Sequence, residues 1–368
     1  MELLYPYFAI LISKHAEEEN YPNQNIKLLK KIRRMMDVNY LSLLECPKTH
    51  RPLILKKEPL TMKNGRIEDG ILLEPISKNE YPIIHFIPRF VSSEGYTNNF
   101  GLEWSIHSKT QYDDYSGLKI SKERFENETN WDRKLDNEII LECGCGSGRF
   151  TTFALETGAL VFSFDYSNAV EANYDSNGHN KNFLLVQADI FQLPFKKNYF
   201  DKSFCFGVLQ HTPNPEMAFK TIIEHLKPGG RIVSDIYRKE WYTLILPCYL
   251  LRHITSRIDP ERLYRYVVKY INIMWPTVKI LRKIPRGYTI INVILVIVDY
   301  SSTILENSPD YLVKEFAYLD TFDKLSAKFD YPQKLTTFKK WHEEAGLVNI
   351  MVKYGYNGIE GCGTKRNL

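Results

Sequence analysis

Short apolar runs alternate with amphipathic segments through the middle of the chain, from residue 138 to residue 237. The runs have the length of buried strands, and the segments between them are long enough for helices. Such alternation is typical of a doubly wound parallel sheet, which binds its ligand at the carboxyl ends of the strands. We therefore predict an α/β fold. The predicted strands cover 138–143, 159–164, 183–187, 201–206 and 230–236, and the predicted helices begin near Arg149 and Ser167 and cover 214–226.

The regions on either side of this alternating core have different patterns. The N-terminal part predicts a helical segment over 1–38 and then a small module of short strands over 39–95. Residues 96–137 predict a lid or linker, in which the aromatic stretch 99–117 has neither a helical nor a strand period and a helix covers 119–127. A helical, basic insertion is predicted over 238–328, and within 329–368 a helix at 334–344 and a strand at 347–354 complete the sheet.

Composition and charge are those of an ordinary globular protein. The 368 residues carry a formal net charge of +4, so no strong basic field attracts nucleic acid. The six cysteines show no spacing typical of a disulfide framework, which indicates a reducing, cytoplasmic environment. No apolar run reaches the roughly 20 residues of a membrane span.

A glycine-rich turn follows the first core strand. The apolar run ends at Glu142, and Gly144, Gly146 and Gly148 then alternate with small residues. Alternating glycines suit a tight strand-to-helix turn where the backbone approaches a ligand. Arg149 stands where the dinucleotide fingerprint requires its third glycine, so the spacing opposes a pyrophosphate cradle.

Further acidic residues end the next two strands. Asp165 closes the second strand, where a carboxylate can accept from both hydroxyls of a ribose. Tyr166 follows it and can lie against a base. The third strand ends at Asp189 and Ile190, and the fourth is followed by Gly207.

These motifs resemble those of class I S-adenosylmethionine-dependent methyltransferases, and the resemblance is close over roughly residues 138–237. It rests on the glycine turn, on Asp165, on Asp189 with the Leu-Pro-Phe turn ending at Phe195, and on the turn that ends at Gly230. The resemblance implies a Rossmann-like sheet of seven strands and S-adenosyl-L-methionine as cofactor. The implied cofactor-binding residues are Glu142, Gly144, Cys145, Gly146, Gly148, Asp165, Tyr166, Asp189, Ile190 and Gly207, with Gln111 and Tyr115 from the lid.

The module over 39–95 resembles a zinc-ribbon-like unit that precedes the core in a group of bacterial methyltransferases. A structural zinc site needs four cysteine or histidine ligands, usually as two close pairs. Only Cys46, with His50, offers a first pair, and residues 74–78 offer no second one. We therefore expect a module that has largely lost its ligands and binds no metal.

His211 is the candidate catalytic residue. It follows the fourth strand at the carboxyl edge of the sheet, and histidine is the residue type most often used to exchange protons at physiological pH. It can act as a general base towards an acceptor, or it can only shape the pocket. Asp320 and Asp323 are weaker candidates for the same role.

The insertion lies beside the expected pocket, so we predict that it builds the acceptor site. Its basic, aromatic helices either face water or make peripheral contact with a membrane through 238–300, which would place the protein at the inner membrane face. The predicted function is O-methylation of a small or lipid-linked metabolite, such as a sugar or a secondary-metabolite intermediate. A non-catalytic scaffold protein and an NAD-dependent oxidoreductase are the alternatives. Nucleic acid is not expected as substrate, because no Asn/Asp-Pro-Pro-aromatic motif follows the fourth strand.

Overall fold

The computed structural model describes residues 41–367 with the exception of residues 64, 92–94 and 96. The helix predicted over 1–38 lies outside the described residues. The first described elements are five short strands that form a small antiparallel sheet. They are β1 (Ile54–Leu55), β2 (Thr61–Lys63), β3 (Arg66–Leu73), β4 (Glu80–Ile84) and β5 (Ile87–Pro88).

This small sheet is packed onto the edge of the main sheet. Phe90 donates its backbone N–H to the carbonyl of Gln187 (2.8 Å), which belongs to the edge strand of the main sheet. Leu72 and Tyr81 share one hydrophobic core with Phe195. The module therefore folds as part of the body of the protein.

The turn at Glu74 shows what replaces the expected second ligand pair. Its carboxylate accepts from the backbone N–H groups of Ile76 (3.0 Å) and Ser77 (2.6 Å), so it stabilises the turn itself. Cys46 Sγ lies 3.2 Å from the hydroxyl of Tyr81. Among the residues that the structure describes, no three His, Cys, Asp or Glu side chains come together as metal ligands. The zinc-ribbon resemblance stays a prediction.

Three helices lead from this module to the core: α1 (Asn98–Ile106), α2 (Asp113–Ser116) and α3 (Ile120–Thr129). The prediction that 99–117 lacks regular structure is therefore wrong. The reason is that α1 has partners on more than one side. Phe100 and Trp104 line a cavity, whereas Leu102 packs against the core of the insertion. A helix that contacts two surroundings has no single apolar stripe, and its period is hidden.

The core is a seven-stranded sheet, which confirms the predicted fold class. Its strands are β6 (Ile139–Cys143), β7 (Leu160–Asp165), β8 (Phe183–Gln187), β9 (Phe200–Cys205), β10 (Leu226–Ile236), β11 (Leu347–Gly355) and β12 (Gly358–Lys365). They lie in the order β11-β12-β10-β9-β6-β7-β8. The helices around it are α4 (Arg149–Glu156), α5 (Val170–Asn177), α6 (Pro215–His225) and a C-terminal helix at Leu335–Glu344.

The order of the parallel strands sets the position of the site. Strand β6 pairs in parallel with both β7 and β9, so the connections diverge at β6 and leave a crevice at the carboxyl ends of these strands. Strand β12 runs antiparallel to β10 and β11. Strands that complete the sheet are predicted within 329–368, but no bounds are predicted for β12, because Gly361 and Gly363 interrupt its apolar pattern. A Cβ atom at Gly361 would lie 2.6 Å from the ring of His342, and one at Gly363 would lie 2.9 Å from the side chain of Leu347.

The insertion contains α7 (Pro247–Thr255), α8 (Pro260–Leu281), a helical turn (Gly287–Thr289), a π-helical turn (Ile290–Ile294) and α9 (Asp310–Ser326); the C-terminal helix Leu335–Glu344 is α10. Its helices have their own hydrophobic core, which includes Trp275 of α8 and Phe316 of α9. None of the helices in the described part of the chain combines the length and the apolar character of a membrane span.

The two ends of the insertion are joined to each other. Gln333 donates its backbone N–H to the carbonyl of Tyr237 (2.8 Å), and its own carbonyl accepts from the N–H of Lys239 (2.8 Å). These bonds form a parallel bridge between Arg238 and Gln333. The insertion therefore leaves the core and returns to it at one point.

Candidate active site

A cavity of about 250 Å³ lies at the carboxyl ends of the central strands. Three parts of the chain surround it: the core loops, the lid helices and the insertion. The core contributes Gly144, Cys145, Gly146, Asp165, Tyr166, Ile190, Gly207 and His211, the lid contributes Glu103, Trp104 and Gln111, and the insertion contributes Tyr300, Asp320 and Asp323. The fold thus brings most of the sequence-predicted residues to one place.

The glycine turn has a backbone conformation that other residues rarely adopt. Gly144, Gly146 and Gly148 have φ angles of +70°, +52° and +94°. A Cβ atom at Gly144 would lie 2.4 Å from a methyl carbon of Val208, and one at Gly148 would lie 2.2 Å from Oδ1 of Asn173. The turn is therefore packed tightly against Val208 and Asn173, and Gly144 and Gly146 form part of the cavity wall.

Asp165 connects this turn to the end of β7. Its carboxylate accepts from the N–H of Gly146 (2.9 Å) and from both the N–H (2.8 Å) and the hydroxyl (2.7 Å) of Ser167. Burial raises the pKa of Asp165, and these bonds oppose the rise. A carboxylate has about four acceptor positions, so these bonds leave fewer for a ligand than the two that the sequence suggested.

Glu142 lies beneath the turn and does not line the cavity. Its carboxylate accepts from the hydroxyls of Thr151 and Ser163, each at 2.6 Å. Burial raises the pKa of Glu142 to about 7, although the bonds from Ser163 and Thr151 lower it. The structure therefore gives Glu142 the position of a support for the turn.

Three other predicted residues also lie away from the cavity surface. Gly148 is enclosed by the side chain of Asn173. Asp189 accepts from the N–H of Phe191 (3.0 Å), and Tyr115 is exposed and donates to Glu315 (3.0 Å). Gln111, in contrast, lines the cavity, and its Nε2 lies 3.5 Å from Oδ1 of Asp320. The cofactor roles of all these residues stay predictions.

A buried ionic network beside the cavity was not predicted from the sequence. Arg124 of α3 forms ion pairs with Glu128 (2.6 Å) and with Asp235 of β10, and Asp235 also accepts from the N–H of Gly207 (2.6 Å). The guanidinium lies 5.2 Å from the ring centre of Phe150. In the sequence, Arg124 and Glu128 are four residues apart on a helix and look like an ordinary surface pair.

His211 has one ring nitrogen occupied. Its Nδ1 lies 3.0 Å from the backbone carbonyl of Phe329. A carbonyl oxygen can only accept, so Nδ1 carries the hydrogen and the lone pair is on Nε2. The ring lies between Phe100 and Tyr237, at centroid distances of 5.1 and 5.4 Å. The imidazole is thus held in one orientation at the cavity wall.

A family model described as a methyltransferase domain matches residues 141–234. This segment is a methyltransferase domain. It is an enzyme domain, and its cofactor is S-adenosyl-L-methionine. The match covers the strands and turns that form the core side of the cavity.

Relatives with known names match between a quarter and a third of the chain. A tRNA U34 carboxymethyltransferase of Nautilia profundicola is 29% identical over 27% of this chain and 35% of its own length. A sterol 24-C-methyltransferase of Pneumocystis carinii is 30% identical over 30% of this chain and 29% of its own length. A ubiquinone biosynthesis O-methyltransferase of Coxiella burnetii is 26% identical over 30% of this chain and half of its own length. The chain spans half or less of each of these relatives, and their different substrates leave its own undecided.

Solved structures give a weaker likeness. A putative S-adenosyl-L-methionine-dependent methyltransferase of Methanococcus maripaludis is 14% identical, with a TM-score of 0.41 over 76% of this chain and 97% of that one. Phosphoethanolamine N-methyltransferase 2 of Haemonchus contortus is 14% identical, with a TM-score of 0.35 over 64% of this chain and 38% of that one.

The cavity fits this cofactor on its own geometry. Gly144 and Gly146 of the glycine turn line the cavity together with the carboxylate-bearing Asp165. Tyr166 and Ile190 supply a ring and an apolar side chain to the same wall. Gln111 Oε1 is buried without a hydrogen-bond partner among the described residues. Buried polar atoms are normally hydrogen-bonded, so a ligand that donates to Oε1 fits this position.

Proposed function

We propose that the protein transfers a methyl group from S-adenosyl-L-methionine to an oxygen atom of a small or lipid-linked metabolite. One observation carries the proposal: the imidazole of His211, with its lone pair on Nε2, faces the same cavity as the glycine turn. A base at this position is useful when the acceptor is a hydroxyl group, which must lose a proton as it reacts.

The cofactor supplies a methyl group that an oxygen atom can attack directly. His211 accepts the hydroxyl proton at Nε2, and the Phe329 carbonyl stabilises the imidazolium through the hydrogen on Nδ1. Tyr237 and Phe100 pack against the ring and restrict its rotation, so the ring is already oriented when the acceptor binds. The lid and the insertion close the cavity and exclude water.

We assign the parts of the chain accordingly. Residues 138–237 bind the cofactor, 96–137 cover it, and 238–328 build the acceptor site. The polar side chains of Tyr300 and Asp320, both from the insertion, support a hydroxylated acceptor such as a sugar or a secondary-metabolite intermediate. The exclusion of nucleic acid stays a prediction, and the tRNA-modifying relatives do not support it.

Cofactor binding is the first test. Calorimetric titration should give micromolar binding of S-adenosyl-L-methionine and S-adenosylhomocysteine and none of NADH. Asp165→Ala should weaken both sulfur ligands by about tenfold or more, because it removes a ligand acceptor and leaves the N–H of Gly146 without its partner. Glu224→Gln, at an exposed pair with Lys197, is the control and should bind as the wild type does.

The outcomes separate the alternatives. Binding of NADH in place of the sulfur ligands would support an oxidoreductase. Tight binding of S-adenosyl-L-methionine without transfer to any acceptor in a screen of glycans, lipid-linked intermediates and RNA would support a scaffold. Equal affinities of the wild type and Asp165→Ala would contradict the assigned cofactor site.

A set of exposed apolar side chains near the start of the insertion supports a lipid-linked acceptor. We call this set the Trp241 face; it consists of Trp241, Tyr242, Leu244, Ile245, Leu250, Leu251 and Ile254. Trp241 and Ile254 are 88% and 67% exposed. Arg238, Lys239 and Arg257 are exposed at its two ends in the sequence. Exposed aromatic and aliphatic side chains between basic residues are suited to the surface of an anionic membrane.

Replacing Trp241 and Ile254 together with serine should reduce partitioning to phosphatidylglycerol vesicles by about tenfold, because two large apolar side chains no longer enter the interface. Co-sedimentation with these vesicles and with neutral phosphatidylcholine vesicles measures the effect. Ile76→Ser, at a side chain that is 71% exposed in the N-terminal module, is the matched control. Equal sedimentation of wild type and double variant would contradict membrane contact through this face.

A further inference from the structure

Three carboxylates line the cavity without forming ion pairs there. Glu103 comes from α1 of the lid, and Asp320 and Asp323 come from α9 of the insertion. Glu103 is only 3% exposed, and its Oε2 has no hydrogen-bond partner in the described part of the chain. The same holds for Oδ1 of Asp323. Burying a carboxylate without hydrogen-bond donors costs free energy, and a ligand that supplies such donors removes this cost.

The basic groups of the cavity do not balance these charges. The charge of Arg124 is matched by Glu128 and Asp235. Arg149 and His211 remain, and the cavity is lined by four acidic side chains, these three and Asp165. Arg149 lies over the ring of Phe150 (4.4 Å) and affects Glu103 and Asp320 only through its charge. The part of the cavity that is lined by Glu103, Asp320 and Asp323 is therefore short of positive charge.

Neighbouring groups reduce this deficit only in part. Tyr300 donates to Asp320, and Gln111 Nε2 lies 3.5 Å from the same carboxylate. Burial, and then the charge of Asp323, raise the pKa of Asp320 to about 7. Among the described residues these carboxylates do not converge as metal ligands do. A larger organic cation fits such spaced acceptors better, and Tyr300 and Tyr237 offer aromatic rings beside it.

We propose that Glu103, Asp320 and Asp323 form a subsite for an ammonium group on the acceptor, so that the substrate is an alcohol that also carries a positive charge. This inference rests on the proposed function. Two of the three carboxylates belong to the insertion, and Asp323 interacts electrostatically with His211, the proposed base. The subsite therefore belongs to the acceptor end of the cavity and holds the cation while the hydroxyl faces Nε2.

The test compares two probes of the same shape that differ in charge: choline and its neutral analogue 3,3-dimethylbutan-1-ol. Calorimetry on the full chain saturated with S-adenosylhomocysteine should show choline binding about tenfold more tightly than the neutral analogue. Asp323→Asn should reduce this preference to less than about threefold. Asp310→Asn is the control, because it removes a carboxylate of the same helix whose side chain is 46% exposed and which pairs with Lys279 outside the cavity.

A second pair of ligands tests whether the cation belongs to the cofactor. S-adenosylhomocysteine carries an ammonium group, and 5′-methylthioadenosine lacks the amino-acid part. Glu103→Gln should change the affinity of both by less than about threefold. A large loss for S-adenosylhomocysteine alone would assign the carboxylates to the cofactor and overturn the proposal. Equal affinities of the two alcohols for the wild type, or binding of neither, would also overturn it.

These outcomes are distinct from failure of the proposed function. If the wild type binds no S-adenosylhomocysteine, the proposed function fails. The choline preference can then still be measured without cofactor, and it reports on the three carboxylates alone.

Discussion

Replacing His211 with glutamine lowers the rate of methyl transfer by about 10² to 10⁴-fold at saturating substrate, the usual contribution of a positioned general base. Glutamine can still donate to the Phe329 carbonyl, but it has no basic nitrogen to receive the acceptor proton. Affinity for S-adenosyl-L-methionine should change by less than about threefold, because the glycine turn and Asp165 are untouched. Single-turnover transfer of a radiolabelled methyl group to an acceptor found by screening measures the rate, and calorimetry measures the affinity.

The control is His253→Gln, which changes an exposed histidine on α7 and should leave the rate unaltered. Unchanged turnover in the His211 variant would mean that the histidine only shapes the pocket. A fall in cofactor affinity as large as the fall in rate would mean that it helps to bind the cofactor.

Replacing Arg124 with methionine lowers the free energy of unfolding by about 3 to 5 kcal/mol, the cost of breaking a buried ion pair and leaving its partners without a counter-charge. Methionine keeps much of the length and apolar contact of the side chain, so the change mainly removes charge. Asp235 and Glu128 are left buried without their cation, and Asp235 positions the N–H of Gly207. Urea unfolding followed by circular dichroism measures the difference.

The exposed pair of Lys220 with Glu216 provides the comparison. Both side chains are 41% exposed and four residues apart on α6, so Lys220→Met should leave the free energy of unfolding nearly unchanged. A loss below about 1 kcal/mol for Arg124→Met would show that water or a relaxed backbone replaces the network. Glu128→Gln, which keeps a hydrogen-bond acceptor for Arg124, should fall between the two.

The core of the fold was predictable because its signals are local. Each strand is a short apolar run, and the glycines and acids that follow it occupy fixed places at its end. Asp165 and Gly144 could therefore be assigned to the site from their position alone. The predicted strands over 138–236 agree with the structure to within a few residues, and the largest difference is at β10, which begins at Leu226 instead of residue 230.

The rest of the site depends on contacts between distant segments. Glu103 and Asp323 are far apart in the sequence and lie in different helices, so no spacing reveals that they line one cavity. Arg124 looks like a surface residue until β10 places Asp235 against it. The hydroxyl of Ser167 donates to the carboxylate of Asp165, and a motif match does not reveal this bond.

The bridge between Arg238 and Gln333 has a consequence for how such proteins diversify. Because the insertion begins and ends at one point, it is attached to the core as a closed loop. The length and sequence of the insertion can therefore change at small entropic cost. Recombination at this junction would exchange the whole proposed acceptor site while Asp165 and the glycine turn stay intact. A lineage could thus acquire new substrates in single steps, without rebuilding the part of the molecule that binds the methyl donor.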